Sequence, residues 1–208
     1  MALCTDEYGR PMPVRSSIHP IPSIHTITVS LRHMKPSVLR RLQVPSATSL
    51  AELHRVIQTA MGWHDCHLHQ FEVNGVHYAD PEHLLEDTTD EARRTLAGMQ
   101  AGDRLAYWYD FGDDWWHDIV VESVDRADPA LTYPRCVTGR RAGPPEDSGG
   151  PWGFAELMSA LGDEKHPEHG MYREWMEQIG AGGYDPTRFD LDEINEALLQ
   201  LSAVALQH

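Results

Sequence analysis

Six carboxylates crowd one stretch of this chain. Asp103, Asp110, Asp113, Asp114, Asp118 and Glu122 fall between positions 103 and 122, with Arg104 as the single basic residue among them. Asp110, Asp113 and Asp114 bracket Gly112 in the string YDFGDDWWHD, where His117 follows. Carboxylates this close repel one another unless a cation or a basic group intervenes. A divalent metal would meet that need. Asp113 and His117, completed by Cys136 or Asp147 from a later loop, offer ligands of the kind zinc or manganese takes. The mechanical alternative has Asp110 and Asp113 accepting hydrogen bonds from the backbone of a tight turn, with His117 as a structural partner.

A second constellation lies in YPRCVTGRRAGPPEDSGG. Arg140 and Arg141 could pair with Glu146 and Asp147 or with the acidic hairpin. Pro144-Pro145 presets the backbone, and Gly149-Gly150 permits positive φ or close approach. Either the loop is a rigid rim that places Glu146 and Asp147 beside a pocket, or it packs over a sheet through Arg–carboxylate pairs. A third group, His64, Asp65, Cys66, His67 and His69, could bind zinc, nickel or copper, yet it matches no fixed zinc spacing and reads more simply as structural. The aromatic run Tyr107, Trp108, Tyr109, Phe111, Trp115 and Trp116 could stack nucleobases. It sits in the most acidic part of the chain, so core and cross-strand packing explains it better, with one exposed ring such as Trp115 left for a partner.

These residues must be positioned by a scaffold. In HTITVSL, Ile27, Val29 and Leu31 alternate with polar residues, which predicts a half-buried strand. VLRRLQV predicts its antiparallel neighbour. Ser49 and Glu52 form a capping box, Leu50, Leu53, Ile57, Ala60 and Met61 form one helical stripe, and Gly62 stops it. Asn74-Gly75 predicts a two-residue hairpin with Val73 opposite Val76, Phe71 opposite Tyr78 and His69 opposite Asp80. Residues 81–103 read as an acidic, partly helical excursion, and RLAYWYDFGDDWWHDIVVESV as another hairpin. The Pro- and Gly-rich stretch from Tyr133 reads as an ordered loop rather than strand or helix. Helices follow over Phe154–Leu161, Met171–Ile179 and Leu191 to about Leu201, the last capped by Asp190. The expected fold is α+β: a β-grasp-like mixed sheet of hairpin–helix–hairpin order, with an additional hairpin and C-terminal helices. Residues 1–22, rich in proline, read as a mobile arm, and 23–208 as one domain.

Length and composition bound the function. The 208 residues carry 17 Lys+Arg against 32 Asp+Glu, a net charge of −15, with 41% apolar residues. Residues 1–60 hold seven basic and three acidic side chains, and residues 61–208 hold ten and twenty-nine. An acidic body disfavours binding along a phosphate backbone, so direct nucleic-acid binding is not expected beyond a few contacts from Arg10 and Arg15 in the arm. No run of 18 apolar residues predicts a membrane span. The N-terminal residues lack the basic-then-apolar order of a leader, and Cys4, Cys66 and Cys136 are odd in number and dispersed, which predicts a reduced, cytoplasmic protein. There is no P-loop, no H-E-x-x-H, no C-x-x-C and no G-x-S-x-G.

Four blocks, SLAELHRVIQTAMGWHDCHLHQF, YWYDFGDDWWHDIVVE, YPRCVTGRRAGPPEDSGG and YDPTRFDLDEINEALL, resemble the plasmid pRiA4b ORF-3-like proteins, in that family's order. The D-F-G-D-x-W-x-H and A-x-P-P-E-D-x-G-G strings are its specific marks. The resemblance implies an α+β domain associated with plasmids or insertion sequences, and it implies no reaction. Some similar proteins carry a resolvase-type label, but this sequence has no recombinase signature.

Three functions remain as expectations. The first is an accessory binding module that docks a basic protein partner or ligand through Asp110, Asp113, Asp114, Trp115, His117, Arg140, Arg141, Glu146 and Asp147. The second is a metal-dependent hydrolase or nuclease using zinc or manganese on Asp113, His117, Cys136 and Asp147. The third is mimicry of nucleic acid by ordered carboxylates. No signature settles whether the protein is an enzyme.

Overall fold

The computed structural model describes residues 22–205, so residues 1–21 of the expected arm, including Cys4, lie outside the described residues. Alternating sequence builds most of the sheet. In β1 (Ser23–Leu31), Ile27, Val29 and Leu31 face inward. Its partner β2 (Leu39–Pro45) runs antiparallel, with Ile27 opposite Leu42. Helix α1 (Leu50–Met61) opens on the expected capping box: Ser49 Oγ accepts from Glu52 N at 3.2 Å, and Ser49 N donates to Glu52 Oε2 at 2.7 Å. Gly62, at φ 81°, ends it. The helix buries Leu50, Leu53, Val56, Ile57, Ala60 and Met61 across the sheet's inner face.

The β3 (His69–Val73) and β4 (Val76–Ala79) hairpin has the expected register, Val73 against Val76 and Phe71 against Tyr78. Asn74 and Gly75 both take positive φ, 52° and 77°, as a type I′ turn requires. The expected His69–Asp80 pair does not form. The strand ends at Ala79, and Asp80 instead accepts from Glu82 N at 2.8 Å, capping a 3-10 turn at Pro81–His83. His69 turns to Glu91, in a second 3-10 turn. Between these turns β5 (Thr88–Asp90) joins β4 in parallel.

The acidic hairpin is β6 (Arg104–Tyr109) and β7 (Trp115–Arg126), with Tyr109 opposite Trp115. The sheet has eight strands in the order β5-β4-β3-β6-β7-β1-β2 and then β8 (Arg135–Arg140). Among the described residues only β4 and β5 pair in parallel, so the sheet is mixed and the fold is α+β. β8 corrects the expectation of a loop. Pro134 precedes the strand, where its missing N–H removes no ladder bond. Gly139 is there for close packing rather than as a break: a Cβ would lie 2.3 Å from the Phe189 ring and 2.8 Å from Leu39 O.

Helices α2 (Gly150–Gly162), α3 (His169–Gln178) and α4 (Leu191–Ala205) add Phe154, Leu157, Met176 and Leu198 to the same core. α2 starts earlier than its apolar spacing indicates, because Pro151 suits a first turn. Asp190 Oδ1 accepts from Glu193 N at 3.0 Å at the start of α4. The outward-facing residues Thr28, Ser30, Gln70, Trp108, Trp116 and Asp118 stay part-exposed. Among the described residues no helix is long and apolar enough to cross a membrane.

At Gly150, φ is 67° and a Cβ would lie 2.0 Å from Asp113 O. Gly150→Ala is therefore expected to cost about 2–4 kcal/mol in chemical denaturation, through strain and backbone displacement. Gly162→Ala meets nothing within 4 Å and should stay within about 0.5 kcal/mol of the parent.

Candidate functional site

The turn joining β6 to β7 and the loop after β8 are built against each other. Asp110, at φ 53°, folds back on the turn: its Oδ1 accepts from Gly112 N at 3.1 Å and Asp113 N at 3.3 Å. Asp113 reaches outward, and its Oδ2 accepts from Gly149 N at 2.9 Å. The loop is held from the other side as well. Trp63 Nε1 donates to Pro144 O at 2.8 Å, and a Cβ on Gly143 would lie 2.2 Å from Met61 O, so the loop lies backbone to backbone on the end of α1. Tyr109 donates its hydroxyl hydrogen to Glu146 Oε1 at 2.5 Å and accepts from Cys66 N at 3.1 Å. His64 N donates to Glu146 Oε2 at 3.0 Å. Burial first, and then the hydrogen bond to Glu146, push the Tyr109 phenol well up, so it remains a donor. Glu146 and Asp147 thus line a cavity with His64, Pro144, Ile179 and Tyr184.

His67 stands where the turn and the loop meet. Its Nε2 lies 3.2 Å from Asp147 Oδ1 and 3.5 Å from Asp110 Oδ2, aligned with neither as a hydrogen bond. Among the described residues no Lys or Arg forms an ion pair with Asp110, Asp113, Asp114, Glu146 or Asp147.

Beneath this surface lies a polar ring that is buried except at Asp65. Gln58 Nε2 donates to the Tyr107 hydroxyl at 2.9 Å, and that hydroxyl lies 2.7 Å from His54 Nδ1. His54 Nε2 lies 2.7 Å from Asp65 Oδ1, and Asp65 N donates to Gln58 Oε1 at 3.1 Å. A carboxylate only accepts, so His54 Nε2 carries hydrogen and Nδ1 accepts from Tyr107. Each link then has one donor and one acceptor. Burial lowers the His54 pKa against the raising effect of Asp65, and the His54 hydrogen bond holds the Asp65 carboxyl below its ordinary value. The His54 ring stacks on His69 at 3.6 Å, with 5° between planes. His69 Nε2 bonds Glu91 Oε2 at 2.9 Å, both residues being buried.

The residues singled out from sequence separate into three places. Asp110 and Asp147 come together at His67, Asp113 and Glu146 lie in the same turn and loop with other partners, and Asp114 is exposed, its Oδ1 accepting from Trp116 Nε1 at 2.8 Å. Trp115 and His117 point into the core and are closed to solvent. The part-exposed ring of that strand end is Trp116, stacked on Trp108 at 4.9 Å. Cys136 is buried on β8 opposite Leu42. Asp113, His117, Cys136 and Asp147 therefore do not converge; the groups that do converge among the described residues are His54, Asp65 and His69; His67, Asp110 and Asp147; and Glu156, His166 and Glu168. Arg140 and Arg141 pair with no carboxylate among the described residues, and Arg140 gives its carbonyl to Arg40 Nη1 at 3.2 Å. Sequence reasoning placed His67 in a cluster of its own. The signal that could have joined it to Asp110 and Asp147 was the presence of both acids in the two most specific strings. Nothing in the sequence marks Glu91 as buried.

Comparison with known proteins agrees with this architecture. The family described as plasmid pRiA4b ORF-3-like protein matches residues 23–193. The chain is 36% identical over 189 residues to an uncharacterized protein of Sinorhizobium fredii, covering 88% of this chain and 94% of that one. It is similar in structure, with a TM-score of 0.76 and 30% identity, to a protein of unknown function from Methanosarcina mazei, over 83% of this chain and 98% of the other. The chain belongs to the plasmid pRiA4b ORF-3-like family.

His117, in the core beneath the site, gives the fold a pH signature. Burial lowers its pKa to about 3 from the ordinary 6.5. Between those values the unfolded chain binds a proton that the folded chain refuses, so stability falls as pH drops from 6.5 toward 3. The slope from this group reaches about 1.4 kcal/mol per pH unit. Urea melts between pH 7 and pH 4.5 should show that fall, and His117→Leu should flatten it. An unchanged slope in the variant would refute the assignment.

Proposed function

We propose that this member of the family is an accessory binding module that docks a basic segment of a protein partner at the acidic, aromatic tip of β6–β7. The family takes its name from a plasmid reading frame, and we place the partner among the proteins of such elements. The observation that carries the reading is the way the tip already treats one guanidinium. Arg32 lies 4.9 Å over the Trp116 ring centroid while its Nη2 sits 2.8 Å from Asp118 Oδ1. An aromatic face beside a carboxylate is the pairing that holds an arginine from outside.

Further features fit the same partner. Trp116 stacks on Trp108, and Phe111 packs against Trp108 at 4.3 Å with its ring tilted by 37°. Trp152 on α2 is 67% exposed and lies 5.3 Å from His33, next in sequence to Arg32. Aromatic anchors surrounded by charge are the usual composition of an interface centre. The carboxylates Asp113, Asp114, Glu146 and Asp147 supply a field that speeds encounter with a cationic chain and weakens with salt.

The test uses tryptophan fluorescence with an arginine-rich peptide and an acidic peptide of equal length. The arginine peptide should bind saturably and lose affinity as salt rises to about 0.15 M. Replacing Trp116 by Ala together with Asp114 by Asn should weaken binding at least tenfold, about 1.4 kcal/mol. Equal binding of the acidic peptide, or no binding of the basic one at low salt, overturns the reading.

A further inference from the structure

The geometry points to a site for one divalent transition-metal ion, of the zinc class, held by His67 Nε2, Asp110 Oδ2 and Asp147 Oδ1. This site shares only Asp147 with the acidic surface of the docking reading, does not involve its aromatic face, and uses residues on three separate segments: the approach to β3, the β6–β7 turn and the loop after β8.

The spacing carries the argument. Zinc sits about 2.1 Å from imidazole nitrogen and carboxylate oxygen, and in a tetrahedral shell of that radius neighbouring ligand atoms are about 3.4 Å apart. His67 Nε2 lies 3.2 Å from Asp147 Oδ1 and 3.5 Å from Asp110 Oδ2, and one ligating atom from each of the three residues lies within 4.8 Å of the others. Those separations are longer than a good charged hydrogen bond, and the imidazole nitrogen is aligned with neither oxygen.

The atoms are also available. Nε2 of His67 is inaccessible and has no hydrogen-bond partner. The Asp110 side chain is 10% exposed; its hydrogen bonds within the turn are made by Oδ1, and Oδ2 faces His67. One nitrogen carries at most one hydrogen and cannot satisfy two carboxylates. A divalent ion at the centre would neutralise both charges.

The surroundings hold the ligands in place. Gly112 N and Asp113 N fix the Asp110 carboxylate from behind, the outer-shell role that backbone donors play at metal sites. The Asp113–Gly149 bond fixes the loop that carries Asp147. The Asp147 side chain is 72% exposed, which leaves the fourth position to water. One imidazole and two carboxylates suit zinc, with manganese weaker in the divalent series.

The alternative clusters are less suited. His54 is saturated within its hydrogen-bonded ring, and its face-to-face stacking on His69 directs the two rings' lone pairs along parallel planes. Glu156, His166 and Glu168 include two exposed glutamates.

The experiment is calorimetric titration of chelator-treated, metal-free full-length protein with Zn²⁺, followed by Co²⁺ as a spectroscopic probe. Expected are one equivalent of bound zinc and cobalt d–d bands of a nitrogen- and oxygen-ligated tetrahedral site. His67→Ala and Asp147→Asn should each lower zinc affinity at least tenfold while leaving circular dichroism and Tm in chelator unchanged. Asp110→Asn keeps the Oδ1 acceptor and should do the same with the turn intact. Absence of saturable zinc binding overturns the proposal. So does binding that survives Asp147→Asn, or that is lost in His166→Ala instead. Trp116→Ala should leave zinc binding unaltered, which separates this result from the fate of the docking reading.

Discussion

The close approach of Gly150 to the Asp113 carbonyl sets the geometry of everything around the candidate site. Without a Cβ, the start of α2 comes down onto the β6–β7 turn, and Asp113 can take the Gly149 N–H. That contact brings a turn and a loop more than thirty positions apart into one rigid body. Glu146 is then within reach of Tyr109, and Asp147 within reach of His67. A side chain at position 150 would push the helix start away and dissolve the convergence, although every individual residue of the site would remain.

The scaffold was legible where one local rule decided the outcome. Period-two alternation found β1, the capping box and Gly62 bounded α1, and Asn74-Gly75 gave the hairpin register. Reading failed where a tertiary contact reversed a local signal. Gly139 falls in the stretch read as a loop and is an edge-strand residue packed under Phe189. Arg40 shares the inward parity of Leu42 and Val44 in β2. It is buried, and its Nε donates to Ala60 O at 2.7 Å, near the C-terminal end of α1, where a cation is favoured.

The same distinction governs the site. The acidic turn and the Pro-Pro-Glu-Asp loop were visible because their composition is unusual. Which acids would meet was not, since convergence depends on sheet order and on loop docking. Cys136 and Asp147 are eleven positions apart, yet one is sealed against Leu42 and the other opens to solvent beside His67. Trp115 and Trp116 are adjacent and face opposite sides of the sheet, so one fills the core and the other stays outside. A one-residue error in assigning exposure therefore exchanges a packing residue for a surface residue.

The ring of Gln58, Tyr107, His54 and Asp65 has a direction. Each member passes a hydrogen to the next, and the backbone N–H of Asp65 returns to Gln58. Such a circuit has a handedness that no single member can reverse, because turning one link leaves two donors facing at one junction and two acceptors at another. It behaves as one four-part component with two opposed orientations, of which the backbone donor permits one. Loss of any one member therefore leaves a donor or an acceptor of its neighbours without its partner, so the four side chains act on stability together rather than one by one.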